Sequence, residues 1–597
     1  ELADRALAVL DGSTQSRDPL TVAALTAGGR YHHLLGHHDE AIQLVDRARR
    51  ALAASASFVD ALPSRSDKHL LPSHPYLVAA SVMLDAGRGV EALTCLDQHW
   101  TRGWLETLAN AGISPADVLE PDQRRAVYVA HARLSAIGAQ IQRLKRFEQP
   151  TEAAERNLSA ARDAQKQLQA QVMSDARYAS LTSPQPVDLA RLHRQVLADG
   201  ATAIVGWFDR PSLGHGDSDS RRFAFVLRSS VSPIWIALPD ANVSQPDSPT
   251  PTGSANDTQT EADDLFATRF EPLLEHLNGV RRLIVIPTGT AMARLPVEAL
   301  PLPRSGDDAA ESMFVVDRFE VSYAPSLSAI IEQPWHSARG SERSVSSPML
   351  AFVGRASNPA LGRRVGAGTA SILNAVDQEA TSLAALFPGS RVWRGDDAQE
   401  RRLGQAVSDQ TLSRYRFLHF GIDSYVDSAN PHRSAIALSR SGEVVSFDTL
   451  LSAECFANGW LDLREILSLK LDAEVVSLTA CRAGGEDDQP PDDSLLLAHA
   501  FLLAGARNVV TTLWPVESEA RALLIFRFYQ NLQVRSLPCA AALQDAKRWL
   551  RELHGAELTA ARKAVLPVHK ESDKMDSANR PFAHPHYWAG YLLATPG

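Results

Sequence analysis

The spacing of apolar residues changes near position 185 of this 597-residue chain, and that change limits what it can fold into. Before it, apolar residues recur at helical intervals; after it, they come in short runs bounded by turn residues. The runs TAIVGWFD (202–209), RFAFVLRS (222–229), PIWIALP (233–239) and RRLIVIPTG (281–289) read as strands. So do MLAFVGR (349–355), SRVWRG (390–395), YRFLHFG (415–421), AEVVSLTAC (473–481) and NVVTTLW (508–514). Helical segments, notably 263–278, 372–387 and 494–506, separate several of them, which predicts a largely parallel sheet covered on both faces. The expected fold class is therefore α + α/β, a helical front end on an α/β body. The stretch 240–262 is polar and rich in Pro, Ser and Thr, and is expected to be a surface loop.

Within residues 1–115, Leu25, Gly29, Ala41, Val45 and Ala48 have the spacing of a helix–turn–helix pair. Ala80, Met83, Ala92 and Leu96 repeat it. These small-residue positions resemble tetratricopeptide repeats, in which small side chains let paired helices approach closely. The copies stand 51 residues apart (Gly29 to Ala80), against about 34 in regular arrays, so the array is degenerate or interrupted. A plain helical bundle is the competing arrangement. Residues 120–182 read as two polar helices broken at Gln149-Pro150. They are expected to form an amphipathic hairpin that packs the front end against the α/β body.

Composition excludes several classes. Sixty Lys+Arg against seventy Asp+Glu leave a net charge of −10, which argues against a nucleic-acid footprint spread over the whole surface. Four cysteines in so long a chain make no disulfide scaffold, and none stands in a C-x-x-C pair, so no structural zinc is expected. The cluster His32, His33, His37 and His38 falls at a repeat turn and reads as solvent-facing, so no metal is expected. Phosphate-loop glycines are missing too, and no cofactor is expected. There is no eighteen-residue apolar run and no leader pattern, which predicts a cytoplasmic protein without a membrane partner. A chain that begins at Glu1 is expected to be a piece of something longer.

Functional groups in open α/β sheets collect just past the carboxyl ends of strands. Cys481 has that place, after AEVVSLTA and before RAGGED, where glycines allow a sharp turn beside the thiol. On its own it reads equally as a small buried apolar side chain. Its surroundings are more specific. VVSLTACRAGG, the long SLLLAHAFLLAGARNVVTTLWPVESEARALLIFRFYQNL (494–532), RLIVIPTGTAMARLPVEALPL, FEVSYAPSLSAI (319–330) and HPHYWAGYLLATPG (584–597) occur in one order. Together they resemble the CHAT-domain family.

The resemblance implies a caspase-like α/β fold related to separase, with a degenerate first half, a catalytic second half and, often, attached tetratricopeptide repeats. It implies four units: repeats at 1–115, a helical connector at 116–184, a first half at 185–345 and a caspase-like half at 346–597. It also implies a Cys–His dyad. The thiolate attacks the scissile carbonyl, and an imidazole activates the thiol and later protonates the leaving amine. Cys481 matches the nucleophile, and backbone N–H groups at Ser424 and Cys481 would hold the oxyanion. The family's histidine stands in a pattern like LHFATHG; the matching stretch here is LHFGIDSY (418–425), which puts Asp423 at that position and Ser424 in place of the following glycine.

A carboxylate beside a thiol disfavours the thiolate, so the expectation is a protease scaffold of impaired activity. His419, on the same strand, and His432, 49 residues before Cys481, are the candidates for a substitute base. Glu517 and Glu519 are candidates for a pocket that prefers a basic residue before the cut; acidic residues in a first helical turn also suit the helix dipole. A non-catalytic module with the same cleft is the alternative. The resemblance implies a protein substrate or regulatory protein recruited by the helical repeats, membership of a larger complex and a place in bacterial defence.

Overall fold

The computed structural model describes residues 19–55, 74–110, 114–147, 149–175, 178, 186–211, 221–230, 232–239, 262–288, 292, 296–302, 313–331, 347–353, 369–422, 424–425, 434–439, 459–479, 495–514, 516–566 and 580–595. The loop expected at 240–262 lies, but for its last residue, outside them. Helices α1 (Pro19–Leu34) and α2 (His38–Ser55) form one hairpin, and α3 (Pro75–Asp85) and α4 (Gly89–Asn110) a second. Their turns use Gly36 (φ 78°) and Gly87 (φ 74°) in the left-handed region, which costs a residue without Cβ little. A Cβ on Gly29 would come within 2.6 Å of Val45 Cγ1, so the first hairpin closes only because position 29 is bare. Ala41, Val45, Ala48, Ala80, Ala92 and Leu96 are fully buried, in keeping with the repeat-like spacing.

The second hairpin rests on the sheet. Trp235 Nε1 donates to Gly89 O at 3.1 Å, Arg210 and His33 meet on the Asp85 carboxylate, and Asp97 accepts from Ser328 N at 3.0 Å.

Helices α5 (Pro121–Arg146) and α6 (Glu152–Val172) make an antiparallel coiled coil. In α6 only Ala154, Leu158, Ala161, Gln165, Leu168 and Val172 are shielded, at alternating intervals of four and three residues. Val127, Ala130, Leu134, Ile137, Ile141 and Leu144 repeat that spacing in α5. Such alternation is what keeps one seam facing one partner helix. At its base the hairpin joins the main core through Val127, Leu168 and Val172, as its expected packing role requires. Farther out it buries little but its own seam, so it projects as an arm.

Among the described residues, eleven strands form one sheet. In chain order the strands are β1 (Thr202–Asp209), β2 (Arg222–Leu227), β3 (Ile234–Ala237), β4 (Arg282–Ile286), β5 (Pro301–Leu302), β6 (Met313–Phe314), β7 (Glu320–Tyr323) and β8 (Ser347–Val353). Next come β9 (Arg391–Arg394), β10 (Tyr415–Gly421), β11 (Ser424–Tyr425), β12 (Ala435–Ala437), β13 (Trp460–Asp462), β14 (Val475–Leu478), β15 (Val509–Thr512) and β16 (Tyr591–Ala594). The main sheet has the order β3-β2-β1-β4-β7-β16-β15-β14-β10-β8-β9; β11–β13 and β5–β6 form two small sheets. Most neighbours are parallel. The departures are β1–β2–β3, whose short connections leave no room for a crossover helix, and β16, which runs antiparallel to β15.

Both faces of the second part are covered, as the apolar runs predict. Phe420 of β10 packs on Phe501 of α8 (Leu496–Leu503), while Phe417 packs on Tyr529 of α9 (Ser518–Gln533). Helix α7 (Thr369–Leu386) lies on the α9 side, with α10 (Cys539–Glu552) and α11 (Gly555–Val565) beyond it. The last strand, β16, sits between β7 and β15 and so joins the earlier and later strands into one sheet.

Candidate functional site

Strands β10 and β14 are parallel neighbours, with Phe417 opposite Val475, His419 opposite Ser477 and Phe420 opposite Leu478. Beyond the ladder Thr479 N donates to Phe420 O at 3.2 Å, so the two carboxyl ends leave the sheet side by side. Open α/β sheets place their sites at such ends. Cys481, Asp423 and His432 lie outside the described residues. Ser424 opens β11 and pairs with Ile436 of β12.

Just below these ends is a buried polar chain that sequence reasoning missed. His419 Nδ1 lies 2.7 Å from Ser477 Oγ, which lies 2.8 Å from the Tyr529 hydroxyl. On the other side His419 Nε2 is 3.3 Å from Glu379 Oε1, and Arg521 Nε donates to Glu379 Oε2 at 3.2 Å. Carboxylate, imidazole and hydroxyl stand in the sequence of a nucleophilic triad. Every one of these residues is at most 2% exposed, though, and no substrate reaches them. His419 is thus sealed, with both ring nitrogens turned into the network. Burial pushes the Glu379 carboxyl up, but the Arg521 charge and the imidazole beside it outweigh that, and it titrates below the ordinary carboxylate range. Burial raises the Tyr529 hydroxyl, which stays a neutral hydrogen-bonding group.

The two acidic pocket candidates have different surroundings. Glu519 pairs with Arg562 of α11 and is largely occupied by it. Glu517 stands exposed just ahead of α9. Trp588 is fully buried, and Trp514 Nε1 donates to His586 O at 2.9 Å. Glu379 and Arg521 left one legible trace: each is a charged residue at a core-facing position of an otherwise apolar helix face.

Comparison with known proteins gives three findings. A family model described as CHAT domain matches residues 259–596. Tetratricopeptide repeat protein 28 of Homo sapiens is 28% identical over 133 residues, 22% of this chain and 4% of that protein. Its Mus musculus counterpart is 28% identical over 134 residues, with the same shares. The chain therefore spans a small fraction of the length of these curated relatives. Among solved structures, the Saccharomyces cerevisiae separase–securin complex aligns over 94% of this chain and 37% of that chain, at 10% identity and a TM-score of 0.29. That overlap is too loose to transfer structural or functional detail.

Proposed function

We propose, on the premise that the chain belongs to the CHAT-domain family, that it is a caspase-like cysteine endopeptidase scaffold whose peptide-bond hydrolysis is impaired by Asp423. The observation that carries this reading is the register of β10 on β14. His419 faces Ser477 across the ladder, and the two strands run parallel. Their carboxyl ends leave the sheet side by side, and in the sequence Cys481 follows β14 and Asp423 follows β10. With histidine there the thiol would be activated; with aspartate the thiolate is disfavoured and no proton donor of suitable pKa serves the leaving amine. Backbone N–H groups at Ser424 and Cys481 would hold the oxyanion. His419 is an anchor rather than a substitute base in this reading, because its ring is sealed.

The substrate or binding partner is a protein, recruited by the helical front end, with Glu517 and Glu519 as the pocket candidates for a basic side chain. Asp423 also favours a second reading, a non-catalytic module that uses the same cleft to bind its partner. Incubating candidate partner proteins with the chain, with Asp423→His and with Cys481→Ala, and reading fragments by intact mass, separates the two. Cleavage that Asp423→His raises by about 100-fold or more and Cys481→Ala abolishes supports the impaired protease. Equal cleavage by the chain and by Cys481→Ala sinks it.

A further inference from the structure

We infer that the outward face of α5 is a docking site for an acidic amphipathic helix of a partner protein. The α6-facing seam of α5 is satisfied by α6, but the opposite side carries a second set of residues at helical intervals of three and four. Arg125, Tyr128, Ala132, Arg143 and Arg146 stand on it, with Val129 beside them, and all are exposed. Tyr128 and Val129 are 44% and 61% exposed, unusual for large apolar side chains on so polar a helix. They form an open, shallow patch together with Arg124, Arg125 and Ala132 of the same helix.

Charge says what fits there. Helix α5 holds six basic residues, Arg124, Arg125, Arg133, Arg143, Lys145 and Arg146, against the single acid Asp122, a net 6 − 1 = +5 in a chain of −10. Among the described residues none of the six makes an ion pair, whereas many arginines elsewhere are paired, as in Arg416–Glu474 and Arg527–Asp545. Helix α6 offers no such bias, with three acids and three bases. An incoming helix with leucines on one side would cover Tyr128 and Val129 while flanking glutamates met the arginines, as in the charged borders of coiled coils. Tyr128 is held for this by its hydroxyl, which donates to Asp117 Oδ1 at 2.8 Å. The arm alone forms this face, and its binding does not depend on the chemistry of Cys481.

The test uses the full chain and a fluorescein-labelled synthetic helix of about 21 residues, three heptads with Leu at the two seam positions and Glu at the flanking ones. A second helix has Lys in place of Glu. Anisotropy should show micromolar binding of the Glu helix, about tenfold or more weaker in Arg125→Glu/Arg143→Glu, which should instead take the Lys helix. Circular dichroism checks that the variant keeps its helices. Failure of the Glu helix to bind, equal binding of both helices, or unchanged binding by the variant overturns the inference. So does a dimer in sedimentation velocity that the double variant dissociates, since the face would then belong to a second copy.

Discussion

At the scale of single residues, His419 decides how rigidly the two strand ends are held. It connects Ser477 on β14 to Glu379 on α7, and both partners are buried. His419→Ala should cost about 2–4 kcal/mol in urea unfolding, because it leaves a cavity and two polar groups without their contact. His419→Asn, which can still bond Ser477, should cost clearly less; equal losses would make the contact irrelevant. Asp97 supplies a pH test. It is wholly buried against Ser328, and burial pushes its carboxyl from 3.8 up to about 6. A raised carboxyl keeps its proton longer in the folded form. Its contribution is therefore full below about pH 4 and lost as pH rises through 6, on the order of 2 kcal/mol. Buried histidines such as His74 and His499 titrate in the opposite sense, so the readout is the difference. From pH 4 to 7 the melting temperature of the parent chain should drop relative to that of Asp97→Asn, and identical pH profiles in both would refute it. Cys481 and Asp423 stand out in the sequence because they sit in contiguous motifs. The Glu379–Arg521 pair does not, because its members are 142 residues apart and only the packed fold brings them together.

The elements themselves are mostly legible. YRFLHFG forms β10 with its expected bounds and HPHYWAGYLLATPG supplies β16, since a run buried on both faces leaves an uninterrupted apolar signature. Which strand lies beside which is not legible, because pairing depends on residues far apart in the chain. The two polar helices after residue 120 read as a hairpin, but their exposure does not show in the pattern: amphipathic spacing shows that a face is covered without saying by what. Leu134 lies in the α5 seam. Leu134→Asp should open the arm, since a buried carboxylate has no partner there. Hydrogen exchange should then rise across 121–172 while β10 and β14 keep their protection; loss of protection throughout would mean that the arm supports the whole fold.

For the whole molecule the main point is that strands from both parts share one sheet. Ion pairs tie them: buried Lys547 Nζ lies 2.7 Å from Glu298 Oε1, with Tyr323 donating to the same carboxylate, and at a half-buried site Arg551 grips Asp317 with both terminal nitrogens. Burial lowers the Lys547 ammonium pKa, and Glu298 pulls it back only in part. Lys547→Met should cost about 3–5 kcal/mol by leaving a buried carboxylate uncompensated, and adding Glu298→Leu should recover much of it. Additive losses in chemical denaturation would contradict that coupling. A first half at 185–345 and a caspase-like half at 346–597 are the expectation from the sequence, which does not say that β16 lies between their strands.

In the proposed function Asp423 disfavours the Cys481 thiolate. This effect is tested most directly by the rate of Cys481 alkylation by iodoacetamide against pH, followed by peptide mass in the chain and in Asp423→His. Burial pushes the Cys95 thiol up to about 11 and Cys539 higher still, so neither competes near neutral pH. The expected midpoint is at or above the ordinary value of about 8.5 for the chain, and lower for Asp423→His. A midpoint well below 8.5 that Asp423→His leaves unchanged would contradict the claim.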